Sequence, residues 1–261
     1  MNLYYRTQGE GRPVIILHGL FGDGLNWGGV SRLLQNDYRL ILPDMRNHGR
    51  SPHDNDDCSY PGMAQDVLDL MDQLDLQQAD LVGHSMGGKT AMTLALTAPD
   101  RVRSLTVVDI APKAYPTRHD DVFAGLTAVA DAHPTTRQEA DKLLRPHLET
   151  TAIRTFVLKN LQRDDDGRFT WRMNWRALFK HYQSLRDFPF TATEAEAPQF
   201  SGPVQFLVGG ASDYVSRDDQ STIERFFPKA KGRVVDSAGH WLHAEKPELV
   251  ARWIADFLRA N

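Results

Sequence analysis

Residues 79–91 read Ala79-Asp80-Leu81-Val82-Gly83-His84-Ser85-Met86-Gly87-Gly88-Lys89-Thr90-Ala91, and the fold turns on how this stretch is read. An apolar run ending at Val82 stops at a glycine, and a segment apolar nearly all round follows from Met86 to Ala98. The first reads as a strand and the second as a buried helix, joined by a G-x-S-x-G turn. Small residues on both sides of Ser85 permit a strained turn that pushes its hydroxyl into a cleft. With 19 glycines in 261 residues the pattern is weak by itself; it arises by accident in roughly one such chain in twenty. The strand before it and the helix after it give it weight.

Other apolar runs repeat the arrangement. Val14-Ile15-Ile16-Leu17 ends at His18-Gly19, Arg39-Leu40-Ile41-Leu42 at Pro43-Asp44, Val102 to Val108 at Asp109, and Val204 to Val208 at Gly209-Gly210; a further strand falls near 233–236. Helical spacing of apolar residues fills the gaps at 60–76, 86–98 and 248–258. This alternation predicts a doubly wound, mostly parallel sheet whose strand ends carry the ligand site. Residues 112–200 break it. They read as helices around 119–131, 136–149, 152–162 and 174–185, with a hairpin turn at Asp166-Gly167-Arg168, and they hold eleven aromatic residues. From Lys113 to Glu196 there are thirteen basic and twelve acidic residues. The chain therefore divides into a core, 1–111 and 201–261, and a mainly helical cap, 112–200, over the active site.

Composition sets the class. There are 30 Lys and Arg against 34 Asp and Glu, a net charge of −4, which argues against a nucleic-acid binder. One cysteine, Cys58, excludes an internal disulfide and a cysteine-rich zinc module. The sequence contains no long apolar run that would span a bilayer, and its start lacks the pattern of a signal peptide. The expectation is a cytoplasmic enzyme acting on a small molecule, with no cofactor and no metal. Asp164-Asp165-Asp166-Gly167 reads as an exposed turn rather than a calcium loop, and Lys89 as a surface or cap-facing charge.

A serine hydroxyl attacks only once a base takes its proton. His240, in Ser237-Ala238-Gly239-His240-Trp241, follows the strand near 233–236 and precedes the last helix, where the chain order Ser…Asp…His puts the base. His243 reads as structural, and His48, His53 and His84 as packing or hydrogen-bonding residues. Two carboxylates compete to hold the imidazole: Asp109, which closes the strand after the nucleophile helix, and Asp213, which follows the next strand after the cap. The oxyanion needs two backbone donors. Leu20, with Phe21 as the alternative, follows the first buried strand; Met86 follows the nucleophile. The stretch from Asp44 to Ser51 reads as a brace for this mouth.

Together these pieces resemble the α/β-hydrolase superfamily over essentially the whole chain, and within it the YbfF-type small esterases. The resemblance rests on HGLFG at 18–22, DMRNHG at 44–49, GHSMGGK at 83–89, DIAP at 109–112 and AGHWLHAEKP at 238–247. The stretch from Asp166 to Arg172 is similar to the cap of that group. The likeness implies an α/β-hydrolase sheet with the cap inserted after the sixth strand, and serine carboxylesterase activity on small to medium acyl esters. Acyl-CoA thioester cleavage is the alternative physiological role; a ligand-binding protein on the same fold is a further one. Ser85, His240 and Asp109 map onto nucleophile, base and acid. An aspartate at 213 departs from the subgroup's pattern, so both acids stay open. Ser212 matches a serine near the histidine in such enzymes and is a candidate auxiliary. Ser85 argues against an aspartate nucleophile, as in dehalogenases and epoxide hydrolases.

Overall fold

The computed structural model describes residues 1–193 and 197–261. Residues 194–196, part of the expected cap, lie outside them.

The central sheet has seven strands. In chain order the first half contains β1 (Tyr5–Gln8), β2 (Arg12–Leu17), α1 (Gly28–Leu34), β3 (Tyr38–Pro43), α2 (Tyr60–Gln73), β4 (Ala79–His84), α3 (Met86–Thr97) and β5 (Val102–Val108). The spatial order is β1-β3-β2-β4-β5 followed by the two strands that close the chain, β8 (Val204–Gly209) and β9 (Ala230–Val235). Among the described residues only β1 runs antiparallel. The order reverses around β2 and β4, where ligand crevices open in such sheets.

The continuous apolar strands are explained by burial on both faces. In β2, Ile15 and Leu17 face one core while Val14 and Ile16 face the other, as the two-residue period of a strand requires. One core is closed by α2 and α3, with Met63, Val67, Leu70, Met92 and Leu96. The second is closed by α1 and by α11 (Pro247–Ala260), through Val30, Leu34, Val250, Ile254 and Leu258. A fully buried aliphatic side chain contributes about 1.5–3 kcal/mol, so these stripes fix which helix face meets the sheet.

Between β5 and β8 the chain forms α4 (Asp120–Ala132), α5 (Arg137–Leu144), α6 (Thr151–Leu158), β6 (Leu161–Arg163), β7 (Phe169–Trp171), α7 (Trp175–Lys180) and α8 (Tyr182–Arg186). β6 and β7 pair as an antiparallel hairpin around the expected turn, where Asp164 Oδ1 accepts from the amides of Asp166 (3.1 Å) and Arg168 (2.8 Å). This segment is tied to the sheet's mouth: Asn160 Nδ2 donates to the Phe21 carbonyl (2.8 Å) and Tyr60 Oη to the Leu185 carbonyl (2.6 Å). It follows the fifth strand and not the sixth as expected, because a single strand, β1, precedes the parallel set and residues 1–4 lie outside the sheet. The expected single helix over 174–185 is two, broken at His181. After β8 come α9 (Gln220–Phe226), β9, and α10 (Leu242–Glu245) ahead of α11. Among the described residues no helix is long and apolar enough to cross a membrane.

Candidate active site

Ser85 sits between β4 and α3 at φ 51°, ψ −116°, a conformation that costs a non-glycine residue about 1–3 kcal/mol and persists only where its surroundings impose it. The glycines of the motif make the turn sterically accessible. A Cβ on Gly87 would lie 2.5 Å from the Leu17 carbonyl oxygen and 2.6 Å from that of His18. The turn packs this closely because α3 starts directly over the end of β2.

Asp109 ends β5, also at positive φ (51°), and is fully buried. Its carboxylate accepts three donors: the Gly209 amide on Oδ1 (2.9 Å), and Ser212 Oγ and His240 Nδ1 (2.8 Å) on Oδ2. Since the carboxylate accepts from Nδ1, the imidazole's Nε2 is left as the proton acceptor. His240 is held further by Tyr214, whose ring stacks on it at 3.7 Å and 14°. Below, His84 Nε2 donates to the His240 carbonyl (2.8 Å). The rings of His84 and His243 meet at 4.5 Å, and His243 stacks on Trp27 at 4.5 Å. Burial pushes the His243 pKa down to about 3 and that of His84 well below its ordinary value, so both are neutral packing groups. That agrees with the sequence reading of each.

Asp213 is placed elsewhere. Its side chain is 73% exposed, against 0% for Asp109, and it pairs with Arg118 Nη1 at 2.8 Å. The neighbouring guanidinium holds its carboxyl below the usual range. The structure brings Asp109 to the imidazole and does not bring Asp213, because the loop after β8 turns Ser212 inward and Asp213 outward.

Of the two amides considered after β2, that of Phe21 is occupied: it donates to His48 Nε2 (3.2 Å), whose Nδ1 donates to the Arg46 carbonyl (2.8 Å). Leu20 lines the cleft beside Ser85 and Met86. Among the described residues, no hydrogen bond engages the Leu20 or Met86 amide. The brace expected at Asp44–Ser51 is present as buried hydrogen bonds, with Asp44 accepting from the amides of Gly24 (2.9 Å) and Arg50 (2.9 Å).

Ser85 stands where the cleft divides. The wider arm, about 210 Å³, is walled by Phe21, Val122, Ile153, Phe156, Trp241 and His240. The narrower, about 40 Å³, is lined by Tyr60, Lys89, Ile110, Tyr115, Tyr182 and Arg186 among others. Lys89, expected as a surface or cap-facing charge, is buried and faces the inserted segment: Nζ donates to the carbonyls of Arg186 (2.6 Å) and Asp187 (2.9 Å). Sequence reasoning missed Tyr214 and Arg118, which carry no motif. Lys89 did leave a signal, since four residues after Ser85 it shares the nucleophile's helix face. Among the described residues no cluster of three or more potential metal ligands occurs.

The alpha/beta hydrolase fold family's sequence profile matches residues 12–247. The chain is 40% identical over 254 residues to the esterase YbfF of Escherichia coli K12, covering 97% of this chain and 95% of that protein. It is 41% identical over 253 residues to the sn-1-specific diacylglycerol lipase ABHD11 of Mus musculus, covering 94% and 80%. A solved marine microorganism esterase superimposes with a TM-score of 0.93 at 36% identity, over 98% of this chain and 99% of that one. The chain belongs to the α/β-hydrolase family.

Proposed function

We propose that this α/β-hydrolase is a serine carboxylesterase of small to medium acyl esters, working through Ser85, His240 and Asp109. Its likeness to YbfF, a named esterase, at 40% identity supports the reaction class. The observation that carries the residue roles is the 2.8 Å contact of His240 Nδ1 with buried Asp109, on a cleft that Ser85 and His240 both line.

In this reading His240 Nε2 takes the proton from Ser85 Oγ as the oxygen attacks the ester carbonyl. The tetrahedral oxyanion rests against the amides of Leu20 and Met86, donors of a kind each worth about 3–4 kcal/mol elsewhere. The imidazolium, stabilised by Asp109, passes its proton to the departing alcohol, leaving an acyl group on Ser85. Water activated by His240 then releases the acid. Ser212 assists by donating to Asp109 and holding the carboxylate in place. Residues 112–200 act as the cap that supplies the apolar walls of the cleft and excludes water. The same reading puts the enzyme in the cytoplasm, where the lone, buried Cys58 stays reduced.

The test is hydrolysis of p-nitrophenyl esters from acetate to palmitate by the native protein and by Ser85→Ala. Activity peaking at short to medium chains and abolished in the variant supports the reading; no turnover across the series overturns it. Matched oxygen esters and CoA thioesters, run side by side, decide the leaving group.

A further inference from the structure

The narrow arm of the cleft ends on a buried cation that forms no ion pair among the described residues. Lys89 is 2% exposed. Its ammonium has three donors, of which two go to the Arg186 and Asp187 carbonyls at the C-terminal end of α8. The faces of Tyr115 and Tyr60 stand 4.8 and 5.5 Å away. Among the described residues no carboxylate lies within 4 Å of it, although most other buried charges here are paired: Asp80 with Arg12, Arg46 with Asp66, and Arg154 with Asp141.

A second donor is left over at the same place. Arg186, which also lines the arm, donates from Nη1 to the Tyr115 carbonyl (2.8 Å) and from Nη2 to Gln183, but its Nε is buried and finds no partner among the described residues. A buried donor left unsatisfied costs about 1–3 kcal/mol, more when charged, so a wall that holds one beside a buried ammonium with two of its three N–H groups bound is suited to an acceptor that arrives with a ligand. Lys89, Arg118 and Arg186 line the arm, and among the described residues no Asp or Glu does. Arg118 is already paired with Asp213; Lys89 and Arg186 are not neutralised there.

The direction of the substrate follows from His240. The leaving alcohol must receive its proton from that imidazole, so it lies in the arm that His240 lines, which is the wider one. His240 does not line the narrow arm, which therefore holds the acyl chain. At about 40 Å³, and about 10–15 Å³ per water position, the arm has room for a short tail only.

From these observations, and resting on the serine-esterase reading above, we propose that the narrow arm is a carboxylate subsite formed by Lys89 and Arg186, and that the enzyme prefers esters of short dicarboxylic acids, attacking the esterified end while the free carboxylate sits on Lys89 Nζ. Without such a ligand, burial pulls the Lys89 ammonium down to about 7; a carboxylate against it favours the charged form.

The experiment compares monomethyl succinate with methyl 4-methylpentanoate, which match in shape and differ in the terminal carboxylate. Methanol release is measured for the native protein and Lys89→Met, and affinity for both esters by calorimetry on Ser85→Ala, which needs no turnover. The expected result is a kcat/KM ratio at least tenfold in favour of the succinate ester, carried by KM. Lys89→Met should lower that ratio tenfold or more, and Ser85→Ala should bind the acid ester tenfold tighter. Lys89 also pins α8; should Lys89→Met fail to fold, the native ratio and the Ser85→Ala affinities decide without it. Equal turnover and equal affinity for the two esters overturn the carboxylate subsite and leave the esterase intact. Tighter binding of the acid ester with no turnover of either supports the subsite and overturns the esterase reading.

Discussion

His240 Nδ1 lies 2.8 Å from Asp109 Oδ2, and the aspartate is wholly buried while the imidazole opens onto the cleft. The carboxylate can therefore be reached by the histidine and by Ser212 and Gly209, but not by bulk water. It fixes which imidazole nitrogen bears the proton.

Replacing Asp109 by Asn keeps the shape and removes the charge. The expected fall in kcat is about 10⁴, the order seen when a triad aspartate is changed to asparagine in a serine protease. Asp213→Asn removes an exposed ion pair worth at most ~1 kcal/mol, so kcat should stay within about fivefold. Steady-state kinetics of both variants on one ester distinguish them; a larger loss for Asp213→Asn would move the acid to that site.

Ser212→Ala takes one of three donors from the Asp109 carboxylate. Hydrogen bonds to charged groups contribute about 1.5–3 kcal/mol, and two donors remain. The expected loss in kcat is about tenfold, with KM little changed and the melting temperature within a few degrees of native.

Gly87→Ala should be strongly disruptive, because the new Cβ meets the backbone oxygens of Leu17 and His18 at 2.5 and 2.6 Å. Overpacking of this kind costs about 1–3 kcal/mol, and it falls directly behind the Ser85 turn. Gly232→Ala on edge strand β9 meets nothing within 4 Å and serves as the control. Urea unfolding and ester turnover should separate the two; equal behaviour would contradict the packing described at the elbow.

Much of this was legible in the sequence, and the exceptions have physical causes. Val14 to Leu17 and Val102 to Val108 announce themselves because a strand buried on both faces needs apolar residues throughout. Strand β1, Tyr-Arg-Thr-Gln at 5–8, is short and half-exposed on the antiparallel edge, and its composition carries no such run. His240 and Ser85 were identifiable from local wording. Which of Asp109 and Asp213 meets His240 was not, since both follow strands; the loop after β8 pairs Asp213 with Arg118 instead. Lys89 reads from sequence as a surface or cap-facing charge; it faces the inserted segment, and its burial is not legible because a lysine is rarely buried and the carbonyl that holds it is 97 residues away in the chain.

Acid should unfold the protein early. His48 and His243 have pKa values pushed down to about 3 by burial, and His84 is also well below its ordinary value. Each is a base whose folded pKa lies below its unfolded one, so below about pH 6.5 the unfolded chain binds protons that the folded chain does not. The stability held by these rings is complete above that pH and falls as pH drops towards 3. The loss is about 1.4 kcal/mol per pH unit for each fully titrating ring. Thermal melts from pH 8 to 4 should show a steep decline starting near 6.5, and a flat profile would contradict the neutral burial of these histidines.

The most direct test of the central claim is to catch the acyl group on the enzyme. Native protein mixed with p-nitrophenyl butyrate, quenched in acid within milliseconds and digested, is analysed by mass spectrometry. One butyryl group is expected on the peptide containing Ser85, absent from Ser85→Ala. Turnover of the ester with no acyl adduct on that serine, or with the adduct on another residue, would contradict it.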